Sequence, residues 1–141
     1  MRPDLPAWVS RYVGLRYRPG GVDLDGADCW GLYALVLERE FGVRLPAYPG
    51  AAWVPGADSA AIGEEARAYA ALFSQVRAGE ERCGDAILIR MRGAPLHLGM
   101  VVSPGWMLHS HDAADACVEP YTGVQWGRRV VGFYRAEARN G

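Results

Sequence analysis

Apolar residues along this chain recur at helical spacing in the first half and alternate with polar ones in the second. Residues 3–12 predict a short first helix, with Trp8, Val9 and Tyr12 on one side and Gly14 ending it. A Gly- and Asp-rich loop follows and hands over abruptly to an apolar run at Cys29. That run predicts a helix to about Phe41, closed by Gly42. It is apolar on most sides, so it belongs in the centre of the fold. Residues 43–57 hold Pro46, Pro49, Gly50, Pro55 and Gly56 and read as a surface excursion. Asp58 or Ser59 can cap a further helix to about Val76, with Ile62, Ala66, Tyr69, Ala70 and Phe73 on one face.

Beyond it, residues 85–91, 96–103, 106–110, 116–120 and 128–135 read as strands. Gly93-Ala94-Pro95 and Ser103-Pro104-Gly105 supply turns between consecutive strands. Helices first and strands afterwards predict an α+β domain, with N-terminal helices packed on an antiparallel sheet of about five strands. There is no internal repeat and no linker, so residues 1–141 form a single domain, with a frayed tail after residue 135.

Charged residues make up 22% of the chain and the net charge is −1, so nothing in the balance draws it to nucleic acid or to a membrane surface. All 15 basic residues are Arg, which removes Schiff-base chemistry and a Lys general base. The N-terminus lacks the apolar core of a signal peptide and no apolar run is long enough to span a bilayer. The expectation is synthesis in the cytoplasm without a signal peptide. The three cysteines, Cys29, Cys83 and Cys117, are odd in number and include no CxxC, so free thiols are expected rather than a disulfide scaffold or structural zinc.

Cys29 is the position where this pattern acquires chemistry. Asp28 is a good N-cap, which sets Cys29 in the first turn of its helix, facing unpaired N–H groups and the positive end of the helix dipole. That environment predicts a thiol pKa lowered to roughly 3.5–7.5, suited to a nucleophile. A thiolate needs a base and the base an orienting partner. The chain has three histidines: His97 opens one strand, and His109 and His111 lie two apart on the next. Parity places His109 and His111 on one face without choosing between them. His109, His111 and Cys117 are also conceivable zinc ligands, although the sequence offers no evident fourth.

Asp28-Cys29-Trp30-Gly31-Leu32, Gly84-Asp85-Ala86-Ile87-Leu88, His97-Leu98-Gly99-Met100-Val101-Val102 and Leu108-His109 occur in that order. Together they resemble the NlpC/P60 family of papain-like cysteine peptidases, which cut peptides of bacterial cell-wall peptidoglycan. The resemblance spans roughly residues 7–135. It implies Cys29 as nucleophile, His97 as general base and His109 as orienting residue. It likens Tyr17 to a tyrosine kept beside the nucleophile. No cofactor and no metal are implied. Asp28 has two readings, helix cap or binder of a cationic substrate group. Many family members carry Ser directly after the catalytic Cys; Trp30 stands there instead, which alters the subsite for a stem peptide.

The implied substrate is a stem peptide containing D-amino acids, cut at the bond from D-Glu to the diamino acid. The short length and the Asp-Cys-Trp-Gly-Leu variant are most similar to versions carried by tailed phages. The expected setting is therefore a virion or phage-like tail, with other tail-tip proteins as partners. The stretch 45–56, carrying Trp53, is a candidate docking surface. Trp53, Trp106 and Trp126 either line a groove or pack in core and rim. Cys83 and Asp85 read as structural. Rival readings are an acyltransferase or amidase on the same Cys-His pair, and a silent structural tail protein.

Overall fold

The computed structural model describes residues 3–46, 69–91, 94–111 and 114–137. Residues 47–57 of the predicted surface excursion, Trp53 among them, and residues 58–68 of the predicted third helix lie outside the described residues.

The first helix is a 3₁₀ turn, Ala7–Arg11, rather than an α-helix across 3–12. Val9 and Tyr12 are buried as the pattern required. The Gly-rich segment, which the sequence pattern predicts as loop, carries two short paired strands, β1 (Val22–Asp23) and β2 (Gly26–Ala27). The central helix α1 spans Cys29–Phe41. Its stop is local: Gly42 adopts φ 71°, and its N–H returns to the Leu37 and Glu38 carbonyls. Trp30, Leu32, Tyr33, Val36 and Leu37 are all buried, which fits the helix's near-uniform apolarity.

Six strands form the main sheet: β3 (Phe73–Val76), β4 (Ala86–Met91), β5 (Ala94–Ser103), β6 (Trp106–His111), β7 (Ala114–Pro120) and β8 (Val130–Ala136). Their order is β3-β8-β4-β5-β6-β7, antiparallel throughout. The five strands read from sequence are present, and β3 is a sixth. The helix expected to reach Val76 is already in a turn at Ala71, and Phe73–Val76 is strand. The reason is long-range: Ser74 pairs with Arg135 and Val76 with Phe133, so β8 supplies a ladder that outweighs local helix preference.

Alternation along the strands sorts the core onto two faces. Ala86, Leu88, Leu98, Met100 and Leu108 pack with α1. Ile87, Ile89, Val101 and Met107 pack with Tyr121, Trp126 and Phe133. Immediately before β4, Asp85 is buried and held by two hydrogen bonds of 2.8 Å from Arg135, a structural role in keeping with its reading.

Candidate active site

The start of α1 is fixed by Asp28. Its Oδ1 accepts from the Gly31 N–H at 2.7 Å and its Oδ2 from the Gly20 N–H at 3.0 Å. Of the two roles the sequence allowed, capping is the one these bonds describe. The loop can close over the helix because Gly31 has no side chain: a Cβ there would stand 1.9 Å from the Gly21 carbonyl oxygen. Cys29 is thereby the first residue of α1, as predicted. Tyr17 is half-buried and bridges Ala27, two residues before Cys29; its N–H donates to Asp115 at 3.0 Å.

The Cys29 sulfur lies where β5 and β6 part. The β5–β6 ladder runs from Ser103↔Trp106 to Met100↔Leu108. The Val101 N–H turns the other way, to Asp85, so the amides of Met100 and Leu98 point to the β6 side. Beyond the end of that ladder, the Leu98 amide faces the Cys29 sulfur. Burial nevertheless dominates and pushes the thiol up to about 11, with the Asp28 charge adding to it; the amides of Leu98, Trp30 and Cys29 oppose the shift without reversing it. The expected low thiol pKa is therefore corrected. The helix terminus is present, but desolvation of the sulfur outweighs it.

His97 and His109 flank the same opening and are both buried. His97 Nε2 lies 2.7 Å from His109 Nδ1. His111 is half-buried, its ring centre 6.0 Å from that of His97, so His109 is the hydrogen-bonded partner. His109 reaches β5 opposite Gly99, where a Cβ would press on Met107 at 3.1 Å and on the His109 Cβ at 3.4 Å. Trp126 is buried beneath the pair, stacked on His97 at 5.8 Å and edge-on to His109 at 5.1 Å. It therefore packs against the histidines rather than lining an open groove.

The sequence reading missed Glu119. Its Oε2 lies 2.5 Å from His109 Nε2. The signal was parity: His109 pairs with Cys117 across β6 and β7, so position 119 shares that face. Burial lowers the His97 pKa to about 3, with the neighbouring His109 and His111 adding to the shift; burial also lowers that of His109. Both rings are then neutral, and their tautomers follow from Glu119. A carboxylate accepts only, so His109 Nε2 carries the proton. His109 Nδ1 must accept from His97 Nε2–H, which leaves His97 Nδ1 as the bare lone pair.

Trp30 is buried and edge-on to Tyr69 at 6.3 Å. With Asp28, Gly20, Val22 and Tyr69 it borders a cavity of about 640 Å³ beside the helix start. All three cysteines are free thiols. His109, Cys117 and Glu119 bring three ligand atoms within 4.8 Å of one another, so Glu119 takes the place that the zinc alternative gave to His111.

A helix that opens on Cys29 and packs on an antiparallel sheet, with histidines on adjoining strands, defines the papain-like α+β class. Within it the chain belongs to the NlpC/P60 family, whose pattern it matches over residues 14–135. It is 21% identical over 129 residues to the murein DD-endopeptidase/LD-carboxypeptidase MepS of Escherichia coli, covering 92% of this chain and 60% of that protein. The chain thus spans about three-fifths of the length of that curated relative. Its fold is shared with an NlpC/P60 family protein from Bacillus cereus (TM-score 0.67, 18% identity, 96% of this chain and 42% of the other). It is also shared with the peptidoglycan hydrolase RipB from Mycobacterium tuberculosis (TM-score 0.59, 19% identity, 94% of this chain and 62% of the other).

Proposed function

We propose that the protein is a cysteine endopeptidase that hydrolyses peptidoglycan stem peptides at the bond from D-Glu to the diamino acid. The observation that carries this reading is the chain of hydrogen bonds from Glu119 through His109 to His97 beside the opening that holds the Cys29 sulfur.

In the resting pair the proton stays on sulfur and His97 is neutral. As Cys29 attacks the amide carbon, its proton passes to His97 Nδ1. His109 accepts from His97 Nε2–H and steadies the imidazolium, and Glu119 steadies His109. The imidazolium then protonates the leaving amine, and neutral His97 activates water against the thioester. The amides at the start of α1 face the developing oxyanion. Tyr17 adjoins this centre. Asp28 and Trp30 supply the wall of the neighbouring cavity, which suits it to one end of the stem peptide.

Carriage by a phage or phage-like tail is part of the same proposal. It is supported by the Asp-Cys-Trp-Gly-Leu variant. Its test is proteomic detection of the protein in purified particles.

The test of the chemistry is digestion of purified sacculi and of defined stem peptides, with products identified by mass spectrometry. Cys29→Ala should abolish hydrolysis while leaving the circular dichroism spectrum unchanged. Products cut at the D-Glu bond support the specificity proposed; products cut only at D,D cross-links overturn it. Full activity in Cys29→Ala overturns the cysteine mechanism.

A further inference from the structure

Glu119 receives two hydrogen bonds from opposite sides of the β6–β7 ladder. One comes from His109 Nε2 at 2.5 Å, the other from the Cys117 thiol. The three ligand atoms lie within 4.8 Å of one another, on a buried His and two half-buried residues. The pair register sets His109 opposite Cys117, and strand alternation brings Glu119 to the same face. Nitrogen, sulfur and oxygen donors in one cluster are a ligand set for zinc or a similar borderline-soft divalent ion. Magnesium and calcium require six or more oxygens and do not fit. Ligand atoms around tetrahedral zinc stand about 3.3–3.6 Å apart, so small side-chain rotations close the cluster.

We propose that His109 Nε2, Cys117 Sγ and the Glu119 carboxylate form a zinc-binding site, with water completing the fourth position, and that its occupation switches off the base His97. The second half rests on the peptidase reading above; the first does not. Zinc needs the Nε2 lone pair of His109, the atom that carries the proton in the metal-free chain. That proton moves to Nδ1, and the Cys117 proton leaves to solvent. His109 then donates to His97 Nε2, which must be bare, so the His97 proton shifts to Nδ1. The position that has to accept the Cys29 proton is filled. The metal and the productive relay therefore compete for one nitrogen.

The experiment titrates the purified protein with cobalt(II) as a spectroscopic probe and with zinc chloride by calorimetry. Parent protein and Cys29→Ala should each bind one equivalent and show a thiolate-to-cobalt charge-transfer band. Cys117→Ser should lose the band and bind zinc more than roughly 10-fold more weakly. In the sacculus assay one equivalent of zinc should slow the parent by roughly 100-fold or more, as loss of a general base does, with recovery on adding chelator. Cys117→Ser should retain the parent's metal-free rate and resist zinc. A cobalt band lost in Cys29→Ala but kept in Cys117→Ser would put the ion on the nucleophile and overturn the site. Cobalt binding through Cys117 with no effect of zinc on the rate would overturn the switch while leaving the site. A parent that digests nothing would count against the peptidase reading, and the cobalt titration would still decide the site.

Discussion

The two faces of the main sheet obey the same alternation yet are held together differently. On the α1 face, Ala86, Leu88, Leu98, Met100 and Leu108 pack with the helix in an apolar cluster that Cys29 borders. One residue away, His97 and His109 sit on the opposite face among Ile87, Ile89, Val101 and Met107, joined to Glu119 by hydrogen bonds of 2.7 and 2.5 Å. The first face is defined by volume, which related side chains can supply. The second is defined by where protons sit, and each buried polar atom there depends on one particular partner. The pleat of a single strand thus separates the histidine relay from the apolar core, while Cys29 stands at the border of that core.

Mutations on the two faces should have opposite signatures. Leu88→Ala, at a fully buried site, should lower unfolding free energy by about 2–5 kcal/mol while leaving kcat/KM of the folded fraction near that of the parent. His97→Ala should do the reverse, lowering kcat/KM by roughly 10²–10⁴-fold with a much smaller stability loss. Urea titration and the stem-peptide assay read the pair; equal activity losses would erase the contrast. Combining His97→Ala with Cys29→Ala should cost little beyond either alone, because the two act as one unit.

Glu119 comes next in size. Glu119→Ala should reduce kcat by roughly 10- to 100-fold with KM little changed, the range for partners that orient an imidazole. Glu119→Gln, which can still accept from His109 Nε2–H, should recover part of that loss. Nitrogen chemical shifts of the histidines should show His97 protonated at Nε2 in the parent and a mixture of tautomers in Glu119→Ala. An unchanged mixture would detach Glu119 from the relay.

The histidine face should also be the acid-sensitive one. His97 has an ordinary value of 6.5 and is held at about 3 in the folded chain by burial. Above about 6.5 neither state binds the proton. Below it the unfolded chain takes up a proton that the folded chain refuses. Stability should therefore fall as pH drops from 6.5 toward 3, by about 1.4 kcal/mol per pH unit for each such proton. Urea midpoints at pH 7.5, 6 and 5 measure this, and His97→Gln should show a shallower slope.

The smallest effect tests the spacing between strands. Gly99→Ala would press on Met107 and on the His109 Cβ. It should cost about 1–3 kcal/mol of stability and lower kcat by displacing His109 from His97. A stability loss at unchanged kcat would show that the hydrogen bond tolerates the shift.

The elements that were legible in advance share one property: their determinants lie close together in the chain. Asp28 caps α1 through Gly31, and Gly42 stops it through Leu37 and Glu38, so the position of Cys29 followed from short stretches of sequence. His109 and His111 fell on one face by parity, on the strand across a short turn from His97. Other features were decided by distant partners. β3 is a strand because β8, some sixty positions later, pairs with it. Glu119 joins the histidines because β6 and β7 pair with His109 opposite Cys117, a register that composition does not announce.

The sequence by itself determined the α+β order, the helix that presents Cys29 and the two histidines matched to the family pattern. Only the tertiary structure decided that Glu119 completes the chain of hydrogen bonds and that the Cys29 thiol stays protonated at rest. Backbone conformation is set within a few residues by caps, glycines and side-chain periodicity. Desolvation and hydrogen-bond partnership are set by whatever the fold packs around a group, and those neighbours come from remote parts of the chain.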